Sequence, residues 1–186
     1  HRAKICDLLR RAQAGELAFP QEVISEGSGP SLLFDSYQAL HDVVKRAGFA
    51  LPQITDRDFS ALMLEKGNNP LKILGNMTGK GSTIPSQRFD MVDNESISLL
   101  TSEADIQASL REAHRILKQD GLIELIVKNL RFVPDFYIGM EKLGFELVSE
   151  KNEGFRVSSG LRERLKEAHG EHFADAYAAK LQGTHL

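Results

Sequence analysis

His169 and His172 stand three residues apart, with Glu171 and Asp175 beside them. On a helix that spacing puts both imidazoles on one face, where they could share a divalent metal. No third strong ligand accompanies them, so the pattern reads as a solvated face and no metal is expected. Gly79-Lys80-Gly81-Ser82 has the residue types that cradle phosphate. It lacks the Gly-x-x-x-x-Gly-Lys-Ser/Thr spacing that turns successive amides onto a phosphate chain, so it is not read as a phosphate loop. Asp58 heads a helix-prone stretch. A carboxylate there complements the helix dipole. Gly75-Asn76 is a frequent turn pair. Cys6 is the single cysteine, which can neither staple a fold nor build a thiolate metal site. That argues for a reducing, cytoplasmic setting, with Cys6 packed on an apolar helical stripe.

These residues need elements to hold them. Ile5, Leu8, Leu9 and Ala12 recur at helical spacing and predict a helix over about 2–14, ended by Gly15. Residues 25–30, Ser-Glu-Gly-Ser-Gly-Pro, read as a loop or linker. After it, strand and helix signals alternate. Short apolar runs at 31–34, 53–55, 71–74, 89–92 and 122–127 read as strands. Stripes at Leu40, Val43, Val44 and Ala47, at 60–66, and at Ile106, Leu110, Ala113 and Leu117 read as helices. Ser102 and Asp105 make a capping box for the last of these. Pro134 opens a further helix that ends at Gly144, and 145–157 read as an antiparallel hairpin turning at Asn152-Glu153-Gly154. Such alternation predicts an α/β fold with a mostly parallel sheet of about seven strands. The domain division expected is 1–29 as N-terminal helix and linker, 30–158 as the α/β domain, and 159–186 as a helical extension carrying Leu161, Leu165, Phe173, Tyr177 and Leu181.

The 186 residues suit one domain with terminal helices, and 41% hydrophobic residues suffice for a core. A formal net charge of −3 argues against a nucleic-acid partner. No apolar run reaches the roughly 20 residues that span a bilayer, so no membrane partner is expected.

Residues 89–127 resemble the middle of class I, Rossmann-like S-adenosylmethionine-dependent methyltransferases. The likeness runs from Phe89-Asp90-Met91-Val92, through Glu112-Ala113-His114-Arg115-Ile116-Leu117-Lys118, to Asp120-Gly121 and the strand that follows. Around it, Asp58-Phe59-Ser60 with Met63-Leu64-Glu65-Lys66 resembles the family's second strand end and helix. Leu71 to Met77, then Ile84-Pro85, resembles the third strand and its loop. Residues 134–157 resemble the last helix and closing hairpin. The resemblance covers about 30–158 and implies a cofactor site. Asp58 would accept bonds from the ribose hydroxyls, with Phe59 beside it. Asn76, with Met77, would accept from the adenine amino group. Asp35 and Asn94 would complete the cofactor set, and Asp93 or Glu95, after the fourth strand, would border the substrate as a general base.

One departure from the family decides the functional expectation. If Gly48 ends the first helix, the first strand and its glycine-rich turn fall in residues 31–39, Ser-Leu-Leu-Phe-Asp-Ser-Tyr-Gln-Ala, which contain no glycine. A tight turn that lets backbone touch a ligand needs glycine. On this reading Phe34 or Tyr37 blocks the cleft and no cofactor is bound. The domain is then a non-catalytic module for protein interaction or architecture, with a protein partner or a second copy engaged through the terminal helices. The alternative is an active S-adenosylmethionine-dependent methyltransferase acting on a small molecule or protein.

Overall fold

The computed structural model describes residues 1–94, 96–97, 100, 102–125 and 140–146. In chain order these form α1 (Arg2–Gln13), β1 (Glu22–Glu26), α2 (Leu32–Ala39), α3 (His41–Arg46), β2 (Gln53–Asp58), α4 (Ala61–Lys66), β3 (Lys72–Leu74), β4 (Phe89–Asn94), α5 (Glu103–Ile116) and β5 (Leu117–Leu125). The five strands make one sheet in the order β3-β2-β1-β4-β5. Every pairing is parallel.

Side chains on a strand alternate between faces, and β1 uses both. Val23 enters a core of Ile5, Leu8, Leu9, Leu33, Tyr37, Val44, Ile54 and Met91, which joins one sheet face to α1, α2 and α3. Ile24 enters the opposite core, with Val92, Ala113 and Ile116 under α5. A parallel sheet is stable when helices cover both faces, and these helices supply the cover. Asp90 anchors the start of the central strand: its Oδ2 accepts from the Gln21 and Glu22 amides at 2.9 and 2.8 Å. Lys118 holds the other oxygen of Asp90 at 2.7 Å. Ser102 caps α5 by accepting from the Asp105 amide at 3.0 Å, as the capping box predicts.

The main correction concerns the first strand. Residues 31–34 are not a strand, because Leu32–Ala39 is helix α2. Leu33, Tyr37, Leu40 and Val44 continue a helical stripe into α3, and the last three residues of the run, Leu32 to Phe34, lie in α2. The strand is Glu22–Glu26, the centre of the sheet, and it lies in the stretch expected to be N-terminal helix and linker. Asp93 and Asn94 belong to β4 rather than to a loop after it. Cys6 is exposed, not packed. Ile106, Leu110 and Ala113 of α5 are buried as expected, whereas Leu117 already starts β5. The hairpin expected at 145–157, the terminal stripe from Leu161, and His169 and His172 lie outside the described residues, apart from Phe145 and Glu146. No helix among the described residues is long and apolar enough to cross a membrane.

Candidate functional site

In an open parallel sheet, connections leave β1 in one direction toward β2 and return on the other side at β4. The crevice at that switch, outside the carboxyl ends of the strands, is where ligands bind. Here the chain leaving β1 is Gly27-Ser28-Gly29, followed by the amino terminus of α2. Gly27 and Gly29 have φ of 63° and 52°, a region that side chains resist. A Cβ on Gly27 would run into the Ser96 side chain and lie 3.4 Å from Met77 Cε, and one on Gly29 would meet Met63 Cε at 3.4 Å. The glycine loop absent from 31–39 is therefore present four residues earlier.

The loop is held from β2. Gly27 and Ser28 donate to the Arg57 carbonyl at 2.8 and 3.4 Å. Gly29 donates to Asp58 Oδ2 at 3.1 Å, while Ser60 donates to Asp58 Oδ1 at 2.8 Å. A carboxylate oxygen has two lone pairs, so each retains one acceptor site. Ser31, at φ 64°, donates a short hydrogen bond to Asp56 and accepts from the Asn69 amide at 3.4 Å. Burial pushes the Asp56 carboxyl upward, against the pull of Ser31 and Asn69. Ser96 donates to the Gly27 carbonyl at 3.0 Å and so brings the β4 side of the crevice onto the loop. The Ser28 hydroxyl, 9% exposed, has no hydrogen-bond partner in the described residues.

Several of the residues expected from the sequence gather here. Asp58 touches the loop, Phe59 stands next to it with 74% exposure, and Met77 packs over Gly27. Asn76 is exposed, and its Oδ1 accepts from the Thr78 amide at 3.0 Å, a turn role. Others are elsewhere. Asp35 lies in α2, reached by Asn68 at 3.5 Å. Phe34 and Tyr37 pack into the core and fill no cleft. Burial raises the Tyr37 hydroxyl pKa, with Asp93 and Glu124 adding to it. Asp93 is buried, with Lys4 of α1 at 2.7 Å, and the same ammonium lies 3.3 Å from Glu124. Asn94 turns to Ser109 of α5 at 3.2 Å. Glu95 is outside the described residues. Among the described residues no group of His, Cys, Asp and Glu could hold a metal ion.

Behind the loop lies a charged cluster that sequence reasoning missed. Arg57 Nε donates to Glu26 Oε2 at 2.7 Å, with a second, short bond between the same side chains. Its Nη1 reaches Glu112 at 3.2 Å. Arg115 closes on Glu112 with bonds of 2.8 Å. A polar cavity of about 40 Å³ beside Arg57, bordered by Asn76, Lys80 and Ser82, has room for a few ordered waters but not for a cofactor.

Burial works against ionised Glu112, but bonds from Arg115, Ser82 and Arg57 outweigh it and hold its pKa at about 2, below the ordinary 4.5. A depressed carboxylate stabilises the fold fully above its unfolded pKa and loses that contribution as pH falls through its folded one. Glu112 should therefore contribute up to about 3 kcal/mol near neutrality, lost between about pH 5 and pH 2. Urea unfolding across that window checks this: the stability gap between the native chain and Glu112→Gln should close as pH falls. A constant gap refutes it.

No protein-family model matches the chain, and the curated proteins give no match. Solved structures do. An arsenic(III) S-adenosylmethionine methyltransferase from Chlamydomonas reinhardtii matches 86% of this chain and 69% of its own, with a TM-score of 0.56 and 18% identity. A ribosomal-protein methylase from Lactobacillus delbrueckii matches 81% of this chain and 74% of its own, with a TM-score of 0.54 and 11% identity. An amino pentose methyltransferase of calicheamicin biosynthesis from Micromonospora echinaspora, solved with S-adenosylmethionine bound, matches 67% of this chain, with a TM-score of 0.52 and 15% identity. The chain spans about half the length of that last enzyme, 49%. With its parallel sheet in the order β3-β2-β1-β4-β5, its glycine loop after β1 and these neighbours, the chain has the Rossmann-like fold of the class I S-adenosylmethionine-dependent methyltransferases.

Proposed function

We propose that this domain binds S-adenosylmethionine at the carboxyl edge of β1 and β2 and acts as a methyltransferase on a small molecule or protein. One observation carries the reading: a glycine loop with two left-handed glycines sits beside Asp58 at the sheet's switch point. The residues fit such a ligand. The loop offers backbone without side chains, and the unpartnered Ser28 hydroxyl offers a bond. Asp58 would take the ribose hydroxyls on its remaining lone pairs. The exposed Phe59 ring would give the purine an apolar plane, and Asn76 lies on the same side for the exocyclic amine. The cofactor would supply an electrophilic methyl group. The chain's part is to orient it and to keep water from it.

Proton removal has no assigned residue. Asp93 is enclosed with Lys4, so Glu95 is the remaining candidate base from the sequence. With 145–157 as an antiparallel hairpin the sheet would reach about seven strands.

Titration of the full chain with S-adenosylhomocysteine tests the reading. We expect a micromolar dissociation constant, weakened about tenfold to a hundredfold in Asp58→Ala by the loss of a charge-assisted bond. Absence of binding at millimolar ligand would overturn it. The second reading is a non-catalytic interaction module in the cytoplasm, engaging a protein partner or a second copy through the terminal helices. Ser96 seated on the Gly27 carbonyl favours it, because that side chain narrows the crevice. No binding, together with an oligomer by light scattering that is lost on truncation after Ser159, would support it.

A further inference from the structure

Glu26 and Arg57 occupy strand positions on the sheet face that carries Ile24 and Val92 into the core under α5, and both side chains are only 2% exposed. Replacing a buried ion pair with apolar residues of similar size leaves stability unchanged or improved in many proteins, so stability alone does not account for charges here. A guanidinium fork bonded to carboxylates does something an apolar pair does not: it fixes angle as well as distance. The geometry joins the segments that follow β1, β2 and β3. Glu26 immediately precedes Gly27, and Arg57 immediately precedes Asp58. The Arg57 carbonyl receives the Gly27 and Ser28 amides. Glu112 takes the far side of the guanidinium and lies against Gly79, where a Cβ would come within 2.7 Å of its Oε2. Arg115 extends the chain of bonds to the Ile84 carbonyl at 2.8 Å and to Ser82 at 3.3 Å.

We infer that Glu26, Arg57, Glu112 and Arg115 are positioning residues that hold the glycine loop in register with Asp58 and with the 75–84 loop, so that the ligand site at the sheet edge is set from α5. The effect on affinity rests on the cofactor reading above, whereas the effect on the loop does not.

Amide hydrogen exchange in the ligand-free full chain separates the two. In Glu26→Leu/Arg57→Leu, protection of the Gly27, Ser28 and Gly29 amides should fall about tenfold or more, while Leu8 and Leu9 of α1 keep theirs. Glu112→Gln, nearly isosteric and chosen in case the double variant does not fold, should lower loop protection severalfold. Arg57→Lys, which keeps the charge but not the fork, should not restore it. S-adenosylhomocysteine affinity should fall in parallel. Unchanged loop protection in Glu112→Gln and in whichever other variants fold overturns the inference, even if the native chain binds the ligand. A loss of loop protection in the variants, with a native chain that binds no ligand, leaves the positioning role standing and removes the cofactor reading.

Discussion

Gly27→Ala should cost about 2–5 kcal/mol of stability and abolish any binding at the crevice. The estimate joins two terms: a non-glycine residue at φ 63° costs about 1–2 kcal/mol, and overpacking against fixed neighbours costs about 1–3 kcal/mol. The obstacle is the Ser96 side chain, with Met77 Cε beyond it. Ser96→Gly in the same chain should recover the packing part and leave the backbone strain. Urea unfolding of the single and double variants measures both. If Gly27→Ala unfolds at the native midpoint, the loop does not have this conformation in solution.

Arg57→Leu should be the most damaging single change outside the apolar core, at about 3–5 kcal/mol, because it strands Glu26 and removes one of the partners of Glu112. Burial already pushes the Glu26 carboxyl upward against the attraction of Arg57, so without Arg57 it should be pushed further and take up a proton more readily. The loss should consequently shrink as pH falls toward the acid range. Adding Glu26→Leu should return most of the stability, since an apolar pair suits the site. Calorimetric melting at two pH values checks the sign; a loss that grows on acidification, or a double variant worse than the single, contradicts it.

Legibility in the sequence followed the strength of local patterning. Helix α5 was readable because Ser102 caps it and Ile106, Leu110 and Ala113 mark one face. β4 was readable from Phe89 to Val92, and Asp58 fell where expected, at the end of β2. The central strand was not readable. Glu-Val-Ile-Ser-Glu has only two apolar residues, and its last two side chains are polar yet buried, Glu26 by its pairing with Arg57. The richer run at Leu32–Phe34 drew the strand assignment, although Leu33 and Tyr37 lie one helical turn apart. The signal that would have found the site was Gly-x-Gly between a short Val-Ile segment and a helical stripe. Asp93 misled for the opposite reason: a carboxylate after an apolar run suggests a loop, whereas Asp93 is a buried strand residue that Lys4 approaches from α1.

The anchoring of β1 by Asp90 has a consequence for biosynthesis. The two ends of that contact are 69 residues apart, and β1 gains its second neighbour only when β4 has left the ribosome. Until then the nascent chain can assemble β1, β2 and β3, with one side of β1 bare along its whole length. Such an edge recruits other strands, so the interval between translation of β3 and of β4 exposes the chain to misassembly.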